Sequence, residues 1–166
     1  MTLQQAFEQH HQAVFSFAWR LTGRQEVAED LTQECFLALL RAPRRFDEAR
    51  GSMKTFLFAI TRNLALKYYR DHGREEALDC PGAPATGDSQ AARDVSSAVA
   101  AAVAALPQLQ QEALILFEYE GLTLEEIAQV VGTDAGAVKS RLHRARERLR
   151  QVLAPYRTTE KAHGTA

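Results

Sequence analysis

The sequence predicts an all-α chain built as two small helical domains joined by a flexible linker. Three observations carry that prediction. Apolar residues recur at helical spacing in both halves, with no stretch of sustained period-2 alternation to suggest a sheet. An interruption rich in Pro, Gly and acid, GREEALDCPGAPATGDSQ, separates the halves. The second half holds two short apolar stripes on either side of a glycine turn, the pattern of a helix-turn-helix. A chain of 166 residues with 46% hydrophobic content suffices for one ordinary domain or two small ones. The expected boundaries are 1–73 for the first domain, 74–94 for the linker, 95–155 for the second domain and 156–166 for a polar, frayed tail.

The first half reads as three main helices. Leu3, Phe7, Val14, Phe17, Ala18 and Leu21 are expected to line the inner face of the first. In the second, Val27, Ala28, Leu31, Cys35, Ala38 and Leu39 form a core stripe, yet Phe36, Leu37 and Leu40 fall on other faces among Glu29, Asp30 and Gln33. A helix apolar on so many sides is either covered all round by neighbours or docks another protein. The breaker Ala42-Pro43 and the loop RRFDEARGSMK precede a third helix, whose core side is expected to hold Phe56, Leu57, Ile60 and Leu64. From Arg41 to Arg70 there are 8 basic and 2 acidic residues, a net +6, with Phe58, Arg62, Tyr69 and Arg70 away from the core stripe. Cations interleaved with aromatics suit a nucleic-acid single strand, because charges track phosphates while rings stack on unpaired bases. The competing explanation is that Phe58 and Tyr69 are ordinary core and the cations only solubilise.

A flexible linker of roughly 20 residues has a root-mean-square span of about 25 Å, so the two halves can reach separate stretches of one partner. Beyond it, an alanine-rich helix is expected from Val95 to Leu106, stopped by Pro107, and Leu109 to Tyr119 begins a scaffold. Thr123 with Glu126 forms a capping box. Leu124, Ile127, Ala128 and Val131 follow at helical spacing, Gly132 allows a sharp turn, and a second helix resumes near Asp134 with Val138, Leu142, Ala145 and Leu149 inward. That second helix carries six basic residues against one acid. Its outer side presents Gly136, Lys139, Ser140, Arg141, His143, Arg144 and Arg146. In helix-turn-helix geometry such a helix enters the major groove, where Lys, Arg and Ser read base edges and flanking cations hold phosphates. The alternative is a solvated basic helix.

The net charge of −1 hides segregation, since residues 1–73 carry 10 basic and 8 acidic groups, 74–97 carry 2 and 5, and 98–166 carry 8 and 8. With neither a long apolar run nor a charged-then-apolar leader, no membrane insertion is expected, and the expected location is the cytoplasm. Cys35 and Cys80 stand without CxxC or nearby His at ligand spacing, which argues against a zinc site or a disulfide framework. No nucleophile elbow, phosphate-binding glycine loop or metal-spaced cluster is present, so no catalytic, cofactor or metal site is expected.

These residues resemble an extracytoplasmic-function (ECF) sigma factor of the bacterial sigma-70 superfamily from about Phe7 to Leu153. AEDLTQECF at Ala28 to Phe36 is similar to the region 2.2 signature. FLFAITRNLAL at Phe56 to Leu66 is similar to the WLYRIARN type of regions 2.3 and 2.4, and LTLEEIAQVVGTDAGAVKSRLHRAR at Leu122 to Arg146 is similar to region 4. The resemblance implies a promoter-recognition subunit with three kinds of contact. Asp30, Gln33, Glu34 and Phe36, with the apolar Leu37 and Leu40, would engage core RNA polymerase at the beta-prime clamp, and the beta flap is implied as a second polymerase contact. The loop Phe46 to Thr55 and the helix through Asn63 would capture a flipped −10 base and hold the single strand, using Arg50, Lys54, Phe58, Arg62, Asn63 and Tyr69. The basic outer residues of the last helix would read the −35 element. An anti-sigma protein covering the polymerase-binding faces is implied as a further partner, and no cofactor is. The sequence departs from the family pattern at Phe56, where Trp is usual, at Asp134, where Pro is frequent, and at Ala59, where a polar residue is common. The rival reading is a stand-alone helix-turn-helix regulator, which leaves the first half needing the alternating strands and acidic pocket of a receiver that this sequence lacks.

Overall fold

The computed structural model describes residues 1–73 and 90–156. Its helices are α1 (Leu3–Thr22), α2 (Gln25–Arg41), a 3-10 turn (Pro43–Arg45), α3 (Met53–His72), α4 (Gln90–Ala104), α5 (Gln108–Leu114), α6 (Leu124–Val131) and α7 (Ala135–Val152); a π-helical turn, Ile115–Tyr119, prolongs α5. Among the described residues no strand occurs. The expected linker lies largely outside the described residues, as do Cys80 and all of the polar tail except Tyr156. The alanine-rich helix begins at Gln90, five residues before the expected start at Val95.

Local chemistry sets most of these ends. Thr2 and Gln5 exchange backbone and side-chain hydrogen bonds in a capping box that starts α1, and Gly23 closes the helix in the left-handed conformation at φ 68°. Ser52 Oγ accepts from Thr55 N at 3.2 Å to start α3. No side chain caps α2, which ends just before Pro43, where the preceding residue is driven out of the helical region.

α1, α2 and α3 enclose a first core in which Val14, Phe17, Ala28, Cys35, Leu57 and Phe58 have no exposed surface. The Phe17 and Phe58 rings sit 4.9 Å apart. Buried Thr22, Thr32 and Thr61 donate their hydroxyls to carbonyls one turn back at 2.7 to 2.8 Å, which lets polar side chains enter this core without an unmet donor. In the second half, α5 packs on α7 and α6 spans the turn, enclosing Ile115, Ile127, Val138 and Ala145 at zero exposure.

Two expectations need correction. Leu3 and Phe7 are 37% and 46% exposed and line a surface groove, because the helices facing α1 bury it only from Ala6 onward along Val14, Phe17, Ala18 and Leu21. The buried stripe of α3 is Leu57, Phe58, Thr61 and Ala65, whereas Phe56, Ile60 and Leu64 are half-buried. Phe58 therefore belongs to the core, contrary to its expected role as a stacking ring.

The halves also pack on one another. α3 lies along α6, and α1 meets the π-helical turn. Their buried side chains form one continuous cluster.

Candidate nucleic-acid and partner interfaces

The helix-turn-helix is positioned by three local devices. Thr123 Oγ1 accepts from Glu126 N at 3.2 Å while Glu126 Oε1 accepts from Thr123 N at 3.1 Å. Gly132 turns the chain at φ 73°, a conformation that favours glycine. Asp134 Oδ1 then accepts from Ala137 N at 2.8 Å and caps α7. Asp, where the resembling family often has Pro, thus supplies a cap of its own.

With Val138, Leu142 and Ala145 buried against the scaffold, Gly136, Lys139, Ser140, His143 and Arg144 form an exposed row on α7. The other two expected contacts are partly engaged. Arg146 pairs with Glu118 at 3.1 Å and lies 5.1 Å from the centre of the Phe117 ring, so the scaffold holds it. Arg141 is half-buried with its Nη1 enclosed and without a hydrogen-bond partner, an unmet donor that an incoming anion would satisfy.

A second site lies at the start of α3. A cleft of about 610 Å³ is lined by Arg45, Phe46, Arg50, Gly51, Thr55 and Phe56 from the first half, and also by Gln129 of α6. Asp47 Oδ1 accepts from Ala49 N at 3.0 Å and shapes the loop, and the rings of Phe46 and Phe56 face each other at 5.4 Å. Arg50 and Asn63 are exposed. Lys54 Nζ donates to the carbonyl of Glu120 at 3.4 Å. Arg62 makes a forked pair with Glu112, Nε to Oε2 at 3.0 Å and Nη2 to Oε1 at 3.1 Å. Tyr69 is half-buried and its hydroxyl donates to the carbonyl of Leu21, which ties its ring to the end of α1. Neither Phe58 nor Tyr69 thus presents a free ring, and the Phe46–Phe56 pair is the aromatic surface at the cleft. Burial raises the Glu120 carboxyl above its ordinary value, against the opposing pull of Lys54 and Arg20. His10 is held below its ordinary value by burial and by Lys54.

The third site is an apolar groove of about 470 Å³ between α1 and α2, lined by Leu3, Phe7, Gln33, Phe36, Leu37 and Leu40. Phe36 is almost covered at 7% exposure because the Phe7 ring meets it edge-on at 5.0 Å, while Leu37 and Leu40 stay 38% and 56% exposed. Asp30, Gln33 and Glu34 on the same helix are exposed, giving the groove an acidic rim. Sequence periodicity missed Leu3 and Phe7 as part of this surface. The signal available was that they continue the α1 stripe past the point where α2 and α3 can cover it.

A basic helix-turn-helix, a basic cleft with an aromatic pair and an apolar groove on one all-helical chain define a DNA-binding protein that also has a surface for docking. The comparisons specify it. Residues 6–75 match the model of Sigma-70 region 2, and residues 96–149 match that of Sigma-70, region 4. The chain is 37% identical over 144 residues to the ECF RNA polymerase sigma factor EcfG of Rhodopseudomonas palustris, covering 83% of this chain and 77% of that protein. It is 38% identical over 160 residues to the ECF RNA polymerase sigma factor SigE of Mycolicibacterium smegmatis, covering 89% of this chain and 60% of that one. Among solved structures, it is similar to the sigma factor RpoE of Bartonella quintana in complex with the anti-sigma factor NepR, at 29% identity and a TM-score of 0.74, over 91% of this chain and 96% of that one. CnrH in complex with the cytosolic domain of CnrY gives 25% identity and a TM-score of 0.71, over 92% and 88% of the two chains. The chain belongs to the ECF family of RNA polymerase sigma factors.

No helix among the described residues is long and apolar enough to cross a membrane. No group of His, Cys, Asp and Glu among them could hold a metal ion.

Proposed function

We propose that this sigma factor docks on core RNA polymerase through the α1–α2 groove and its acidic rim, and directs the enzyme to promoters with two DNA-reading units, about 1–73 and 95–155. The beta-prime clamp is the partner proposed for Asp30, Gln33, Glu34, Phe36, Leu37 and Leu40, and the beta flap for the second unit. The observation that carries the reading is the exposed row Lys139, Ser140, His143 and Arg144, held away from the scaffold on a helix capped at its entrance. Such a row reads base edges of a −35 element while Arg141 satisfies its unmet donor on a phosphate. At the −10 element, Arg50, Lys54, Arg62 and Asn63 hold the single strand. The Phe46–Phe56 pair takes the stacking role first expected of Phe58 and Tyr69.

The chain makes and breaks no covalent bond in this role and acts in the cytoplasm, where promoter and polymerase meet. With a net charge of −1 its own affinity for duplex DNA is small, and polymerase supplies the remainder. Two neighbouring folds are held by inhibitory or cytosolic partners, as their descriptions state, and the exposed Leu37 and Leu40 offer an anti-sigma protein the same purchase here.

Adding the chain to purified core enzyme on genomic templates tests the reading. Specific initiation that depends on the chain, and is lost with Lys139→Ala combined with Arg144→Ala, is the expected result. Equally tight, sequence-specific promoter binding without polymerase would overturn it.

A further inference from the structure

The cations assigned above to the −10 strand are already occupied, and by the other half of the same chain. Arg62 spends its fork on Glu112 of α5, a carboxylate only 1% exposed, and Lys54 reaches the carbonyl of Glu120. Gln129 of α6 stands in the wall of the cleft that holds the Phe46–Phe56 pair. It is so close that a Cβ on Gly51 would lie 2.8 Å from its Oε1. On the far side of the interface the Arg20 guanidinium rests 4.0 Å above the Tyr119 ring. Four contacts from α5, the π-helical turn and α6 therefore cover the face that a single strand would need.

The chemistry of the cover resembles that of the strand. A carboxylate offers a guanidinium the same two-oxygen fork as a phosphate, and a carbonyl oxygen offers an ammonium one acceptor. We propose that in the free chain the region 4 half is an intramolecular plug on the strand-binding face, with Glu112 and the Glu120 carbonyl standing in for strand phosphates on Arg62 and Lys54. Strand binding then requires the halves to part. This inference rests on the strand-binding role proposed for α3.

Such a closure is reversible for a physical reason. A buried ion pair nearly cancels its own desolvation cost, so the closed and open forms differ little as long as both partners are present. Removing one partner is different, because closure then leaves the other charge buried and alone, which shifts the balance towards the open form on the order of a hundredfold. Apparent affinity for a strand rises as the open fraction rises.

The test uses the full-length chain, X-ray scattering for its radius of gyration, and a fluorescent single-stranded oligothymidine of about twelve nucleotides as the probe. Glu112→Gln, which keeps the shape and removes the charge, is expected to enlarge the radius and to bind the probe at least about tenfold more tightly than the wild type. Arg62→Ala should enlarge the radius equally without the full gain, since it also loses a strand contact. Tyr119→Ala, at an exposed position outside both cores, should act in the same direction more weakly, so the test survives if Glu112→Gln fails to fold. An unchanged radius, or expansion with no gain in probe binding in either Glu112→Gln or Tyr119→Ala, overturns the plug. Promoter opening by the polymerase complex separates this from the reading beneath it. If Arg62→Ala slows opening while Glu112→Gln changes neither radius nor probe affinity, the plug falls and the strand-binding role stands. If Arg62→Ala opens promoters like the wild type, the strand-binding role falls and takes the plug with it.

Discussion

Phe58 is the residue on which the two accounts of α3 part, and Phe58→Ala decides between them. As a stacking ring it would be lost from DNA binding with little effect on the fold. In the structure its side chain has no exposed surface and contacts Phe17 at 4.9 Å in the middle of the first core. Truncating a buried Phe to Ala costs about 3 to 5 kcal/mol from lost transfer energy and the cavity left behind. A unit of this size holds a total of only about 4 to 10 kcal/mol, so the loss is a large share of its stability. Trp19, the single tryptophan, lies in α1 and reports unfolding of this half by its fluorescence. With a urea slope near 2 kcal/mol/M, the midpoint should fall by about 1.5 to 2.5 M. A wild-type midpoint accompanied by lost oligonucleotide binding would refute the assignment of Phe58 to the core.

Thr123→Ala removes one side of the capping box at α6 and should cost about 1 kcal/mol, seen as a lower unfolding midpoint of the second half. Leu40→Gln, at a position 56% exposed, should leave stability within about 0.5 kcal/mol and still weaken retention on core polymerase in a pull-down. Lys139→Ala should reduce the slope of log affinity against log salt for the polymerase–promoter complex by about 0.9 if the side chain holds one phosphate, and should leave it unchanged if the side chain reads a base. The Cys35 thiol is pushed up to about 11 by burial, with a partly offsetting hydrogen bond from Thr61. Below pH 9 the thiol is neutral in folded and unfolded chains alike. Between pH 9 and 11 only the unfolded chain ionises, so stability should decline across that window. In a Cys80→Ser background, iodoacetamide should label Cys35 rapidly only after unfolding.

The sequence by itself determined the local features. The Thr123–Glu126 box, the Gly132 turn, the Asp134 start of α7 and the inward Val138, Leu142 and Ala145 all lie within a few residues of the groups they bond or align with. Capping and periodicity are short-range physics, so they are legible in one dimension, and the exposed row on α7 follows from them. The tertiary structure alone decided which sides of α1 and α3 are covered. Phe58 and Phe56 are two residues apart and both apolar, and only the position of Phe17 on α1 makes the first fully buried and the second a wall of the cleft. Likewise Phe7 continues a perfectly regular stripe but lies beyond the helices that would bury it. Least legible was the partner of Arg62, since Glu112 lies 50 residues away across the expected linker. No periodicity encodes a pairing that exists only when two separately stable units come to rest against each other.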